Sequence, residues 1–227
     1  MHSRPADHIF VQVSGRIDHT IGEDTLAVSE YDLLVAPGNV ARSAFNPGFE
    51  DALFFSVHDQ PPEGETYSAS YRGNGPDRAT EEPVGRGPTH LKWKQYSRRA
   101  ASADGFSQRY GYHRSAYPLI ETETMWGRAI GVPAGQGSPW QTISGEVIFV
   151  GLLGEIEVYA DGEVYPLGPR DVLRISTSTY ALQNVGFSEG LYVSLGSKSG
   201  RHSGPVYYEP AVANDPVAGP GEPISAV

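Results

Sequence analysis

The chain has 227 residues, 17 of them basic and 27 acidic, for a formal net charge of −10. Nucleic-acid grooves and anionic membrane surfaces need clustered Lys and Arg, so neither is expected as a partner. The sequence has no Cys, which excludes disulfides, thiolate zinc sites and Cys nucleophiles and fits a cytoplasmic protein. Its 27 Gly and 18 Pro favour short strands joined by turns over long helices.

In chain order, residues 7–17 read DHIFVQVSGRI, an apolar, β-branched run closed by a glycine, and this predicts a strand. YDLLVAPGNVARSAFN at 31–46 and NPGFEDALFFSV at 46–57 predict more strands. YRGNGPDRATEEPVGRGP at 71–88 reads as a linker. HLKWKQYSRR at 90–99 alternates basic and aromatic residues and reads as a strand on the outside of a barrel, with Trp93 and Tyr96 on opposite faces. YPLIETETMWGRAIGVPAGQGS at 117–138 predicts two strands. EVIFVGLLGEI, RDVLRISTSTYALQN and NVGFSEGLYVSL then follow, at 146–156, 170–184 and 184–195.

These last three runs repeat the first three. DHIFVQVSGRI and EVIFVGLLGEI share an acid, Ile-Phe-Val and Gly-x-Ile at an offset of 139. Gly15 to Asp32 and Gly154 to Asp171 are both 17 residues apart, and the third pair of runs aligns at an offset of 138. Matched blocks in the same order and spacing indicate one unit present twice. The expected division is a first half-barrel at 1–60, a linker with added strands at 61–112, a second barrel at 113–198 and a tail at 199–227. Two strands precede Trp140 in the second copy and have no counterpart in the first, so the first barrel is expected to lack its own leading strands. The middle segment, the tail or a second subunit in a strand-swapped homodimer would then cover the open edge.

The blocks resemble the cupin superfamily, in its two-domain bicupin form. SGRI and LGEI match the end of the first cupin motif, and residues 31–46 and 170–184 match the second. The resemblance covers about two thirds of the chain and implies an all-β fold of two jelly-roll (double-stranded β-helix) barrels in tandem. It also implies a metal site built from two His and a Glu of the first motif and a His of the second. In the second copy those positions fall on Gln141, Ile143, Val147 and Tyr180, a set that makes a poor metal site. In the first copy they fall on His2, Arg4, His8 and Arg42, and Arg is no ligand. The metal motifs are therefore read as degenerate. Asp7 and Glu146 lie next to ligand positions and are expected to face away from them.

Three readings stay open. The first is a metal-independent small-molecule bicupin, a binding module or a cyclase or isomerase acting on an organic acid or aromatic metabolite. His8 and Tyr180 would carry acid–base work, Arg4 and Arg42 would bind an anion, and Gln141 and Trp140, with Met125 and Trp126, would line the second pocket. The second is a metal-dependent cupin dioxygenase with Fe, Mn, Ni or Zn on His2 and His8, completed by a donor such as His58, His90 or His113. The third is a non-enzymatic, storage-like assembly. His19, His58 and His202 are each read most simply as surface or strand-end residues.

Overall fold

The computed structural model describes residues 6–58, 87–92, 120–138, 140–198, 206–212 and 215–223. Among them every regular element longer than a turn is a strand, and no helix is long and apolar enough to cross a membrane. In chain order these are β1 (His8–Ser14), β2 (Ile17–Ile21), β3 (Asp24–Val28), β4 (Leu33–Ala36), β5 (Arg42–Phe45), β6 (Leu53–His58), β7 (Thr89–Leu91) and β8 (Ile120–Glu121). The series continues with β9 (Met125–Val132), β10 (Trp140–Leu153), β11 (Ile156–Ala160) and β12 (Glu163–Leu167). It ends with β13 (Val172–Asn184), β14 (Gly190–Ser197), β15 (Val206–Val212) and β16 (Asp215–Pro223).

The chain divides into two compact units, one over Met1–Trp93 and Ile120–Met125, the other over Lys94–Leu119 and Trp126–Val227. In the first unit one sheet has the order β6-β1-β4-β7 and a second has the order β3-β2-β5. In the second unit the order is β12-β11-β13-β10-β14-β9, with β15 on β10 and β16 on β15. The pairings are antiparallel.

The same hydrogen bonds are built in both units at the offset of the sequence repeat. Tyr31 and Arg170 both take positive φ, 71° and 75°, and donate their N–H to the carbonyls of Gln12 and Gly151. The carboxylates of Asp32 and Asp171 accept from the N–H groups of Ser29 and Gly168 at 3.0 and 2.9 Å. Asn46 and Asn184 each hold a tight turn, donating Nδ2 to the carbonyls of Glu50 and Ser188 at 2.7 Å and accepting from the N–H of Gly48 and Gly186. A short polar side chain that bonds its own turn is what these positions require.

The cores differ. The second unit packs Trp126, Val147, Phe149, Val158, Ile175, Tyr180, Leu182 and Tyr192 into one apolar cluster. In the first unit Phe10, Ile21, Val28, Leu34 and Ala36 pack together, with Leu26, Val40 and Phe54 against them.

Candidate functional site

Strand alternation places His8, Phe10 and Gln12 on one face of β1. Register then names their neighbours. His8 stands opposite Ala36 on β4 and His58 on β6, and Phe10 stands opposite Leu34 and Ser56. On β7, His90 stands opposite Leu34. From the other sheet His19 brings its ring to 4.9 Å from Phe10 and 5.7 Å from Phe54. Arg42 pairs with Ile21 in register and donates to the carbonyls of Ala36 and Ala6 at 3.4 and 3.5 Å. The interior of the first unit thus has one end layer of His8, His58 and Arg42, and a middle layer of Phe10, His19, Leu34 and His90.

His8, Gln12, His19 and Arg42 are all buried. The His8 and His58 rings are stacked at 4.9 Å with planes 22° apart. His90 Nε2 lies 3.0 Å from Asp32 Oδ2, an almost fully buried pair. In the sequence Asp32 stands out only through its spacing from Gly15 in the repeat. The pairing with His90 depends on β7, which lies outside the repeat. His19, read from sequence as a surface or strand-end residue, is a core histidine. Burial holds its pKa down to about 4, and the field of His90 lowers it too while Asp18 opposes. It is therefore a neutral imidazole at pH 7. Its Nε2 and the Oε1 of Gln12 find no partner among the described residues.

The second unit has apolar or small residues at the matching positions. Val147 corresponds to His8, Val158 to His19, Tyr180 to Arg42, Gly196 to His58 and Gly151 to Gln12. Tyr180 is buried in the apolar cluster, edge-on to Phe149 at 5.2 Å, and stands opposite Gln141 in register. Trp126 occupies the space beside Gly196, where a Cβ would come within 2.7 Å of the indole. Met125 is buried outside that cluster. One expected lining residue is corrected: Trp140 packs with Tyr159 and Ala181 on the face of the sheet opposite to Gln141 and Tyr180. Alternation along β13, where Tyr180 and Ala181 are neighbours, is the reason.

The two acids beside ligand positions do face away. Asp7 Oδ1 accepts from the Gly38 N–H at 2.7 Å, and Glu146 is exposed in an ion pair with Arg174. His2, Arg4, Trp93, Tyr96, His113 and His202 lie outside the described residues.

A cupin metal site needs several donors aimed at one point. Among the described residues no group of three His, Asp or Glu side chains can hold an ion. His8 and His58 lie side by side with ring centroids 4.9 Å apart, two imidazoles where such a site takes three or more donors. His90 is turned to Asp32. The described residues supply a partial donor set for such a site.

No protein-family model matches the chain, and no curated protein matches it. Solved structures do. Salicylate 1,2-dioxygenase from Pseudaminobacter salicylatoxidans matches at 15% identity and a TM-score of 0.57, over 86% of this chain and 66% of that one. The same enzyme described with gentisate adducts matches at 15% identity and a TM-score of 0.59, over 87% and 63%. AerE from Microcystis aeruginosa matches at 17% identity and a TM-score of 0.58, over 86% and 79%. The chain thus spans less than two thirds of the dioxygenase's length. At these identities the likeness is one of fold: the chain has the all-β, antiparallel cupin fold.

Proposed function

We propose that the first unit binds a small organic anion, with Arg42 anchoring its carboxylate and His8 serving as the acid–base group of a metal-independent isomerisation or cyclisation. On this reading the protein is a bicupin, with copies at 1–60 and 113–198, whose second barrel is a filled structural partner. The observation that carries it is the contrast at matched positions. Burying an imidazole or a guanidinium costs free energy that apolar residues avoid. The second unit builds the same turns and strands with Val147, Val158 and Tyr180 at these positions, so the fold does not require His8, His19 and Arg42. Phe10 and Phe54, beside this layer, favour a flat or apolar ligand body.

The chemistry asked of the site is modest. A guanidinium can hold a carboxylate with two parallel N–H bonds. A histidine can take a proton from one atom and return it to another, with no oxidant consumed. Tyr180, the other acid–base candidate, then serves packing.

Calorimetric titration with salicylate and gentisate as probes tests the reading. Arg42→Met is expected to weaken binding about 10- to 100-fold, the worth of a charge-assisted hydrogen bond. Equal binding by wild type and Arg42→Met would sink it.

A metal-dependent dioxygenase is the competing reading, favoured by the dioxygenase among the structures of like fold and by His58 lying beside His8. It needs donors beyond the described ones, His2 first. Elemental analysis of wild type and His8→Ala separates the two. Stoichiometric metal lost in the variant would replace the first reading with the second. A storage-like assembly would show neither ligand binding nor metal.

A further inference from the structure

We propose that the outer edge of β6 is a docking edge for a second copy of this chain, the two copies pairing β6 with β6 in antiparallel about a two-fold axis. The proposal does not rest on any ligand in the first unit. It starts from the strand that matches β6 in the second unit. There β14 lies between β10 and β9, and Gly190 to Leu195 are all buried. β6 has β1 on one side and, among the described residues, no strand on the other. The exposures follow: Leu53 keeps 45% of its surface, while its counterpart Leu191 keeps 2%. In its second copy the fold pairs a strand at this edge.

Proteins normally blunt an open edge with charge, Pro or a bulge, because unpaired N–H and C=O groups recruit other strands. The second unit obeys that rule. Val172 to Ile175 pair only with β10 among the described residues, and Arg174 stands there exposed, in an ion pair with Glu146. Leu53 to Val57, LFFSV, carries neither charge nor Pro. The one irregularity beside it is a register shift in β1 between Gln12 and Ser14, at the Leu53 end, which leaves Phe54 to His58 in regular pairing.

A second copy fits this edge for two reasons. A chain of net charge −10 repels itself over most of its surface, and an uncharged run is where two copies can meet without like charges opposed. A two-fold axis also satisfies both edges with one interface. With Ser56 on the axis, Phe55 stands opposite Val57 of the partner subunit and Phe54 opposite His58 of the partner subunit. An aromatic facing a β-branched residue is a favourable cross-strand pair.

The experiment uses the full chain. Sedimentation equilibrium is expected to give twice the 24.5 kDa chain mass at micromolar concentration. The chain has no Cys, so Ser56→Cys introduces a single thiol on an exposed position. Directly opposed residues in an antiparallel pair have Cα atoms about 4.5–5.5 Å apart, within disulfide range. Mild oxidation should therefore convert Ser56→Cys to a covalent dimer, and should leave Thr25→Cys, on exposed β3, uncrosslinked. Ser56→Asp, which sets two carboxylates face to face on the axis, should raise the dimer dissociation constant at least tenfold with an unchanged circular dichroism spectrum. A monomer at all concentrations overturns the proposal. So does a dimer in which Cys at position 56 fails to cross-link, because that dimer uses another surface.

Discussion

The two units build one set of turns around two different interiors. Both hold an Asp-capped turn after a positive-φ residue, and both close the next turn with an Asn. Inside, the first unit carries His8, His19, His90 and Arg42, while the second carries Val147, Phe149, Val158 and Tyr180. They also expose different edges. β7 covers the outer side of β4, so Leu33 is 1% exposed, and its counterpart Val172 is 50% exposed. β9 covers β14, while among the described residues no strand pairs with the outer edge of β6. The lesson is that hydrogen-bonded turns define the framework, while the interior and the edges are free to diverge.

Exchanging residues between the units tests how far that freedom goes. The largest effect is expected from Gly151→Ala, a first step toward the Gln12 of the other unit. A Cβ there would run into the backbone carbonyl of Gly168, which cannot move without breaking the Asp171 turn. Thermal unfolding should show a loss of about 3 kcal/mol or more. A smaller loss would mean that the second unit tolerates the first unit's packing.

Next comes the Asn pair. Asn184 is fully buried and also donates to the Val132 carbonyl at 2.8 Å, whereas Asn46 is exposed. Asn184→Ala is expected to cost about 3 kcal/mol and Asn46→Ala about 1 kcal/mol, because only the first strands buried groups. Equal costs by chemical denaturation would contradict the difference in burial.

His19→Val installs the residue found at Val158. Folding lowers the His19 pKa from 6.5 to about 4, so the unfolded chain takes up this proton first as pH falls. Its neutral form favours folding above pH 6.5, and that contribution is lost as pH drops toward 4. Denaturation at a series of pH values should show a dependence about 2 kcal/mol shallower over that window in His19→Val than in wild type. Parallel curves would mean that His19 is solvated.

The smallest effect is expected from Arg174→Ala. Its ion pair with Glu146 is exposed on both sides, and such pairs contribute about 0.5 kcal/mol or less. A larger loss would mark that edge as more than a solvated surface.

Much of the framework was legible in the residues because local chemistry writes it. Asp32 and Asp171, Asn46 and Asn184, and the Ile-Phe-Val runs sit at near-constant offsets since each belongs to a turn or strand of fixed length. His8 and Arg42 could be named as interior candidates because the motif spacing assigns them strand positions. The burial of His19 was missed for a simple reason: Asp18, His19 and Thr20 read as a polar stretch, and only alternation along β2 shows that His19 shares a face with Ile17 and Ile21. Trp140 is adjacent to Gln141 on β10, and adjacent strand residues point oppositely. The His90–Asp32 pair spans 58 residues and has no local signature.

The sequence alone determined the strand-rich class, the turns and the order of the repeated blocks, because these depend on residues close in the chain. The tertiary structure decided which side chains share a layer, that His8 stacks on His58, and that β7 brings His90 to Asp32. It also decided which strand edges are covered, since register and sheet order arise from contacts between segments far apart in the chain.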